Sequence, residues 1–259
     1  IKAAGATPVV IETKAENNYE VDLVELEGAV TDKTKLMILN TPSNPTGAVY
    51  RRATLEAIAD LAVSKNVMVL SDEIYEELVF DAEFPHASIA SFNDAIADLT
   101  VTVNGFSKAY SMTGWRLGYL TGPEWVVKRI AALQSHTTSN PTSFTQYGGL
   151  AALNGPENLL DDMRAEFRAR RDLIYKLMSD IPKVTCIEPK GAFYIFCNVS
   201  AFGLTSMEFC ERLLAEAKVA CIPGEPFGAP GNMRVSYACS REQIQQACDR
   251  VRSFCGTLC

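Results

Sequence analysis

Thr100-Val101-Thr102-Val103-Asn104-Gly105-Phe106-Ser107-Lys108 decides how this 259-residue chain is read. A β-branched run too short for a helix stops at a glycine, and a lysine amine follows close behind, which reads as a buried strand delivering a polar group at its end. Runs of the same kind occupy residues 7–13, 35–40, 67–72 and 116–121. Between them, residues 54–65 set Leu55, Ile58, Leu61 and Ala62 on one helical face, and residues 124–134 do the same with Val127, Ile130 and Leu133. Short apolar runs alternating with helical segments predict parallel strands joined by crossover helices, an α/β fold.

Toward the C-terminus the pattern changes. A charged stretch over residues 157–180 carries Met163, Phe167, Ile174 and Leu177 at helical spacing until Pro182 stops it. Strands are then expected at 184–187, 192–198, 219–222 and 233–237, with helices at 206–217 and 241–254, a smaller α+β unit. The boundary is placed inside the long helix, so residues 1–165 form a large domain and 166–259 a small one.

Composition narrows the function. Lysine and arginine number 24 against 31 acidic residues, a net charge of −7 that repels a phosphate backbone, so no nucleic-acid partner is expected. No apolar run approaches the roughly 18 residues of a membrane span and no signal-like segment opens the chain, so no membrane partner is expected and a cytoplasmic location is. The eight cysteines, Cys186, Cys197, Cys210, Cys221, Cys239, Cys248, Cys255 and Cys259, are irregularly spaced with no C-x-x-C pair. Free thiols in a reducing compartment fit better than a disulfide or metal framework. His86 and His136 lie far from them in sequence, and no metal site is expected.

In open parallel sheets ligands bind beyond the carboxyl ends of the strands, so those ends come first. Asn40-Thr41-Pro42-Ser43-Asn44-Pro45-Thr46-Gly47 follows one strand. By itself it is a stiff turn, with Asn44 set in a defined direction. Ser71-Asp72-Glu73-Ile74-Tyr75 follows the next and supplies a carboxylate and a phenol, although Asp72 alone reads more readily as a helix N-cap. Lys108 alone is a solvated charge. At the end of an apolar strand, with Gly114 and Arg116 after it, it becomes a partly desolvated amine beside an anion site. An amine, a carboxylate, a phenol, an amide and a guanidinium on one sheet edge suit an aldehyde cofactor with a pyridine ring and a phosphate.

The segment Gly105-Phe106-Ser107-Lys108-Ala109-Tyr110-Ser111-Met112-Thr113-Gly114-Trp115-Arg116-Leu117-Gly118 resembles the pyridoxal-phosphate attachment site of class I/II aminotransferases. Asn44-Pro45-Thr46-Gly47, Ser71-Asp72-Glu73-Ile74-Tyr75, Gly191-Ala192-Phe193-Tyr194 and Met233-Arg234-Val235-Ser236-Tyr237 resemble further segments of that family, in order. The wording is most similar to bacterial-type aspartate/prephenate aminotransferases. The resemblance implies the aspartate-aminotransferase-like fold type I: a large domain with a mostly parallel sheet flanked by helices, plus a smaller α+β C-terminal domain. It also implies a homodimer, with amino-acid and 2-oxo-acid substrates.

Residue by residue, the resemblance makes Lys108 the Schiff-base anchor of pyridoxal 5'-phosphate and the proton shuttle, and Asp72 the partner of the ring nitrogen. Asn44 and Tyr75 become donors to the phenolic oxygen, Arg116 a phosphate ligand, and Arg234 the fork that grips the substrate α-carboxylate, next to Asn44. The Asn44-Pro45 bond is expected to be cis. Gly105 stands where many relatives carry a phosphate-binding serine, which leaves Ser107 as the candidate for that contact. The family's phosphate loop, its ring-stacking aromatic residue and a tyrosine from the neighbouring subunit all precede the segment matched by Ile1. The expectation is therefore an incomplete N-terminus, any targeting segment included, and a fragment weakly active or inactive alone. The same residues would serve a carbon–sulfur lyase of the same fold, or a non-catalytic aminotransferase-like effector module of a transcription regulator.

Overall fold

The computed structural model describes residues 1–156 and 158–258. Glu157, the expected start of the long helix, and Cys259, the last cysteine, lie outside the described residues. Strands β1 (Leu36–Asn40), β2 (Met68–Asp72) and β3 (Thr100–Gly105) run parallel side by side, and β4 (Gly118–Thr121) pairs antiparallel with β3. Helix α1 (Leu23–Ala29) starts at Asp22, whose carboxylate accepts from the Val24 and Glu25 N–H groups. Helix α2 (Arg52–Lys65) makes the crossover from β1 to β2, and the expected face forms: Leu55, Ile58 and Ala62 are buried, with Leu61 at the margin. A short α3 (Asp94–Ala97), capped by Asn93, leads into β3.

Two strand expectations are corrected. The run at 116–121 shortens to β4 and reverses direction. Its link from β3 holds turns and the 3₁₀ segment Thr113–Trp115 but no α-helix, whereas the crossover to a parallel partner is usually helical. Arg116 therefore ends that turn at φ 52° instead of opening a strand. Residues 7–13 form no strand at all. Val9 and Val10 are 71% and 74% exposed, and no strand among the described residues pairs with them, so their backbone has no ladder to join.

Helices α4 (Glu124–Thr137) and α5 (Ser143–Leu153) follow. In α4, Val127 and Ile130 are only half-buried and Leu133 is 67% exposed. Helix α5 has no counterpart in the periodicity because Gly148-Gly149 interrupts it. A Cβ on Gly149 would stand 2.6 Å from Leu117 and 2.9 Å from Phe106, so glycine is what lets this helix approach the segment after β3.

The second sheet is antiparallel, in the order β5 (Thr185–Cys186), β6 (Tyr194–Asn198), β8 (Asn232–Ser236), β7 (Ile222–Pro223). Helices α6 (Asp161–Ser179), α7 (Ser206–Arg212) and α8 (Arg241–Thr257) enclose a core in which Ile174, Met178, Ile195, Phe209, Leu213 and Tyr237 are fully buried. Capping boxes start α7 at Thr205 and α8 at Ser240. The expected helix at 206–217 finishes as a π turn, Leu213–Ala217, and the Val219 N–H returns to the Leu213 carbonyl. That bond keeps Val219 out of the ladder, and β7 begins at Ile222. Tyr75, Leu78 and Phe80, from the segment after β2, pack into this second core and join it to the first sheet.

Candidate active site

Strand ends of the first sheet meet mid-strand residues of the second at this seam. Asn40 closes β1. Its Oδ1 accepts from the Asn44 N–H at 2.9 Å while its Nδ2 donates to the Asp72 carbonyl at 3.2 Å, locking the ends of β1 and β2 to the turn between them. Both Thr41-Pro42 and Asn44-Pro45 are cis; only the second was expected.

Asp72 ends β2 half-buried. Burial raises its carboxyl above the ordinary carboxylate value, the Ile74 N–H at 3.2 Å opposes that rise, and neighbouring Glu73 adds to it. No cation pairs with it among the described residues. After β3, the Tyr110 and Met112 N–H groups both return to the Phe106 carbonyl, compacting the loop that carries Lys108. The Lys108 Nζ stands 5.4 Å from the Phe193 ring centroid and 5.7 Å from that of Tyr75, with no carboxylate partner among the described residues.

Arg234, on β8, crosses the seam. Its Nη1 donates to the Asn44 Oδ1 at 2.8 Å, and its guanidinium lies 4.6 Å from the Tyr194 ring centroid and 5.2 Å from that of Phe227. Its Nε is buried with no hydrogen-bond partner among the described residues. Tyr75 shares a 3.0 Å hydroxyl–hydroxyl hydrogen bond with Tyr194. Burial chiefly, and then that bond, push the Tyr75 phenol up, against the opposing pull of Arg234.

Thus Asn44, Asp72, Tyr75, Lys108 and Arg234 share one seam. Arg116 stands apart: it is exposed, and its Nη1 donates to the Thr113 carbonyl at 2.9 Å. Ser107 is half-buried next to Lys108, and its hydroxyl has no bond within the described residues. The glycine at 105 has a steric origin, since a Cβ there would meet Gly118 Cα and Ile74 Cδ1 at 3.1 Å where β3 pairs with β4. Asn40, Phe193, Tyr194 and Phe227 were not assigned roles from sequence. The Gly191-Ala192-Phe193-Tyr194 segment was the one signal available for two of them.

His86 meets carboxylates. It lies 3.0 Å from Glu73 and 3.9 Å from Glu76, and these three residues form a cluster whose atoms are spaced as metal ligands would be. The buried Glu73 already accepts from Ser71 at 2.7 Å and Ser88 at 2.9 Å as well, so its oxygens are satisfied by protein groups.

A sheet whose strand ends carry an amide, a carboxylate and a lysine, joined to a small antiparallel sheet carrying an arginine, is the arrangement of fold type I. Residues 1–251 match the family model for aminotransferase class I and II. The chain is 42% identical over 259 residues to the aspartate aminotransferase of Bacillus subtilis, an alignment covering 98% of this chain and 66% of that protein. It is 43% identical to the probable aspartate/prephenate aminotransferase of Aquifex aeolicus, covering 97% and 65%. The structure of Thermus thermophilus aspartate aminotransferase with maleate superimposes with a TM-score of 0.92 at 38% identity, covering 97% of this chain and 65% of that one. The chain therefore spans about two thirds of the length of the relatives it matches, and it belongs to the class I and II aminotransferases, a pyridoxal-phosphate-dependent family.

The side chains fit that cofactor. Among the described residues, a half-buried carboxylate without a cation suits a protonated ring nitrogen, an amine without a carboxylate suits an aldehyde, and a buried guanidinium Nε without an acceptor suits a carboxylate.

Proposed function

We propose that this chain carries the cofactor-holding and substrate-carboxylate machinery of an aminotransferase. The enzyme would move the amino group of aspartate or a similar amino acid to a 2-oxo acid such as 2-oxoglutarate. The observation that carries the reading is the convergence of Asp72, Lys108 and Arg234 on one seam, each lacking, among the described residues, the partner the reaction would provide. The names of the Bacillus subtilis and Aquifex aeolicus relatives, and the maleate of the Thermus thermophilus structure, support a dicarboxylic substrate.

Bound here, the cofactor supplies an aldehyde and an electron-withdrawing ring. Lys108 anchors it through Nζ and moves the proton at the substrate α-carbon. Asp72 holds the ring nitrogen protonated. Asn44, its Oδ1 engaged by Arg234, presents its amide nitrogen to the phenolic oxygen beside the Tyr75 hydroxyl. Arg116 and Ser107 take the phosphate, the Arg116 guanidinium having further N–H donors besides the Nη1 that reaches the Thr113 carbonyl. Arg234 grips the α-carboxylate with a planar fork that lysine cannot reproduce. The large and small units divide within α6, as 1–165 and 166–259, and the assembled enzyme is a homodimer.

The test is to add pyridoxal phosphate, reduce with borohydride and map the labelled peptide, then assay glutamate formation from aspartate and 2-oxoglutarate. Label on Lys108 is expected, with glutamate formed weakly or not at all by this chain alone and in full by a longer protein that contains it. Label on another lysine, or pyruvate and ammonia from a cysteine conjugate without glutamate, would overturn the reading.

A further inference from the structure

The second sheet and its helices hold two close cysteine pairs. Cys186 and Cys197 are register partners on β5 and β6. Cys210, buried on α7, and Cys221, half-buried just before β7, bring their Sγ atoms to 3.3 Å, with the Cys221 thiol donating to the Cys210 sulfur. We propose that Cys210 and Cys221 form a reversible dithiol–disulfide site, closed by a peroxide and reopened by a thiol reductant.

The geometry favours this pair over the other. A disulfide needs the sulfurs at about 2.05 Å, so one backbone must give slightly. Cys186 and Cys197 both sit in ladder positions, whereas Cys221 belongs to the irregular segment between the π turn and β7. The donated hydrogen bond from Cys221 holds the Cys210 thiol below its ordinary value, while Cys221 itself is pushed up by the same bond and by burial. Cys210 is thus the attacking sulfur and Cys221 the resolving one.

In the first step the Cys210 thiolate attacks a peroxide oxygen. An S–O bond forms, the O–O bond breaks, and the departing hydroxide takes up the proton that Cys210 released on ionising, leaving as water. In the second step the Cys221 sulfur attacks the Cys210 sulfur. The S–S bond forms, the S–O bond breaks, and hydroxide leaves with the Cys221 proton as a second water. The two sulfurs together give up the two electrons that reduce the peroxide.

The full chain is treated with equimolar hydrogen peroxide, alkylated under denaturing conditions, digested and weighed. A cross-linked peptide pair joining Cys210 to Cys221, lighter by two hydrogens, is expected. Two alkylatable thiols should be lost and then regained with dithiothreitol. In Cys221→Ser, Cys210 should instead be trapped by dimedone as the sulfenic acid. Full alkylation of both cysteines after peroxide, or a disulfide joining either of them to a different cysteine, would overturn the proposal, and both outcomes are read on the unsubstituted chain.

Discussion

The two sheets contribute to the seam from opposite starting points. The first offers the ends of its strands, where Asp72 closes β2 and Asn44 and Lys108 come shortly after β1 and β3, yet α4 and α5 beside it leave Leu133 and Tyr147 67% and 76% exposed. The second offers Arg234 from the middle of a strand and is closed over by α6, α7 and α8. Similar amphipathic spacing therefore has different outcomes. Periodicity identifies which face of a helix is apolar, while burial depends on what the rest of the chain places against it.

The sharpest way to break this contrast is to cut a cavity on the closed side. Phe209 is fully buried between Phe202 and Phe254, with ring centroids at 5.5 and 5.3 Å. Phe209→Ala should cost about 3–5 kcal/mol in urea denaturation, transfer and cavity contributions together. A loss as small as that of a surface change would mean the second core is not closed. Next in size, Arg234→Leu removes the cation that reaches from the second sheet to Asn44. Loss of a charged hydrogen-bonding group should weaken amino-acid affinity by about 3 kcal/mol, roughly a hundredfold, with pyridoxal phosphate binding near normal by absorbance titration. Loss of cofactor binding instead would place Arg234 on the wrong ligand.

What could be read in the sequence divides along the same line. The places of Asp72 and Lys108 at the ends of strands were legible because strand, terminator and polar group are contiguous. The Tyr75–Tyr194 and Asn44–Arg234 contacts join residues 119 and 190 positions apart and leave no local trace. Only the family resemblance separated Arg234 from an ordinary strand arginine. Helix α5 was hidden by Gly148-Gly149, and residues 7–13 have the composition of a strand without a ladder to pair into. The reversal of β4 was available in principle, since the link between β3 and β4 contains no helix to carry a crossover.

A clamp between the two sides gives the third test. Arg171 on α6, 3% exposed in its side chain, holds Asp81 at 3.1 Å and donates to the Pro189 carbonyl at 2.6 Å, with Lys190 adding a 3.1 Å contact to Asp81. Burial alone would raise the Asp81 carboxyl, but Arg171 and Lys190 outweigh it and hold it below its ordinary value. A folded-state value below the unfolded one, near 3.9, makes this contribution fully present above that pH and lost as pH falls through the folded value. Asp81→Asn should lower stability at neutral pH, and its denaturation curve should converge with that of the unsubstituted chain in acid. Parallel curves down to the lowest pH would remove Asp81 from the clamp.

The smallest effect is expected on the open side, and its size is the point of the measurement. Leu133 belongs to the stripe that includes Val127 and Ile130, so composition and spacing give it the standing of a core residue. Exposed as it is, Leu133→Ala removes little surface that folding takes out of water, and should change stability by no more than about 0.5 kcal/mol. Ile174→Ala, an equivalent helical position on α6 that is fully buried, should cost several-fold more, about 2–5 kcal/mol. A pair of similar losses would show that α4 is covered in solution by another surface, such as the second subunit of the proposed homodimer. Repeating the Leu133→Ala measurement across protein concentration would identify that cover, because a loss that depends on concentration comes from association and one that does not comes from within the chain.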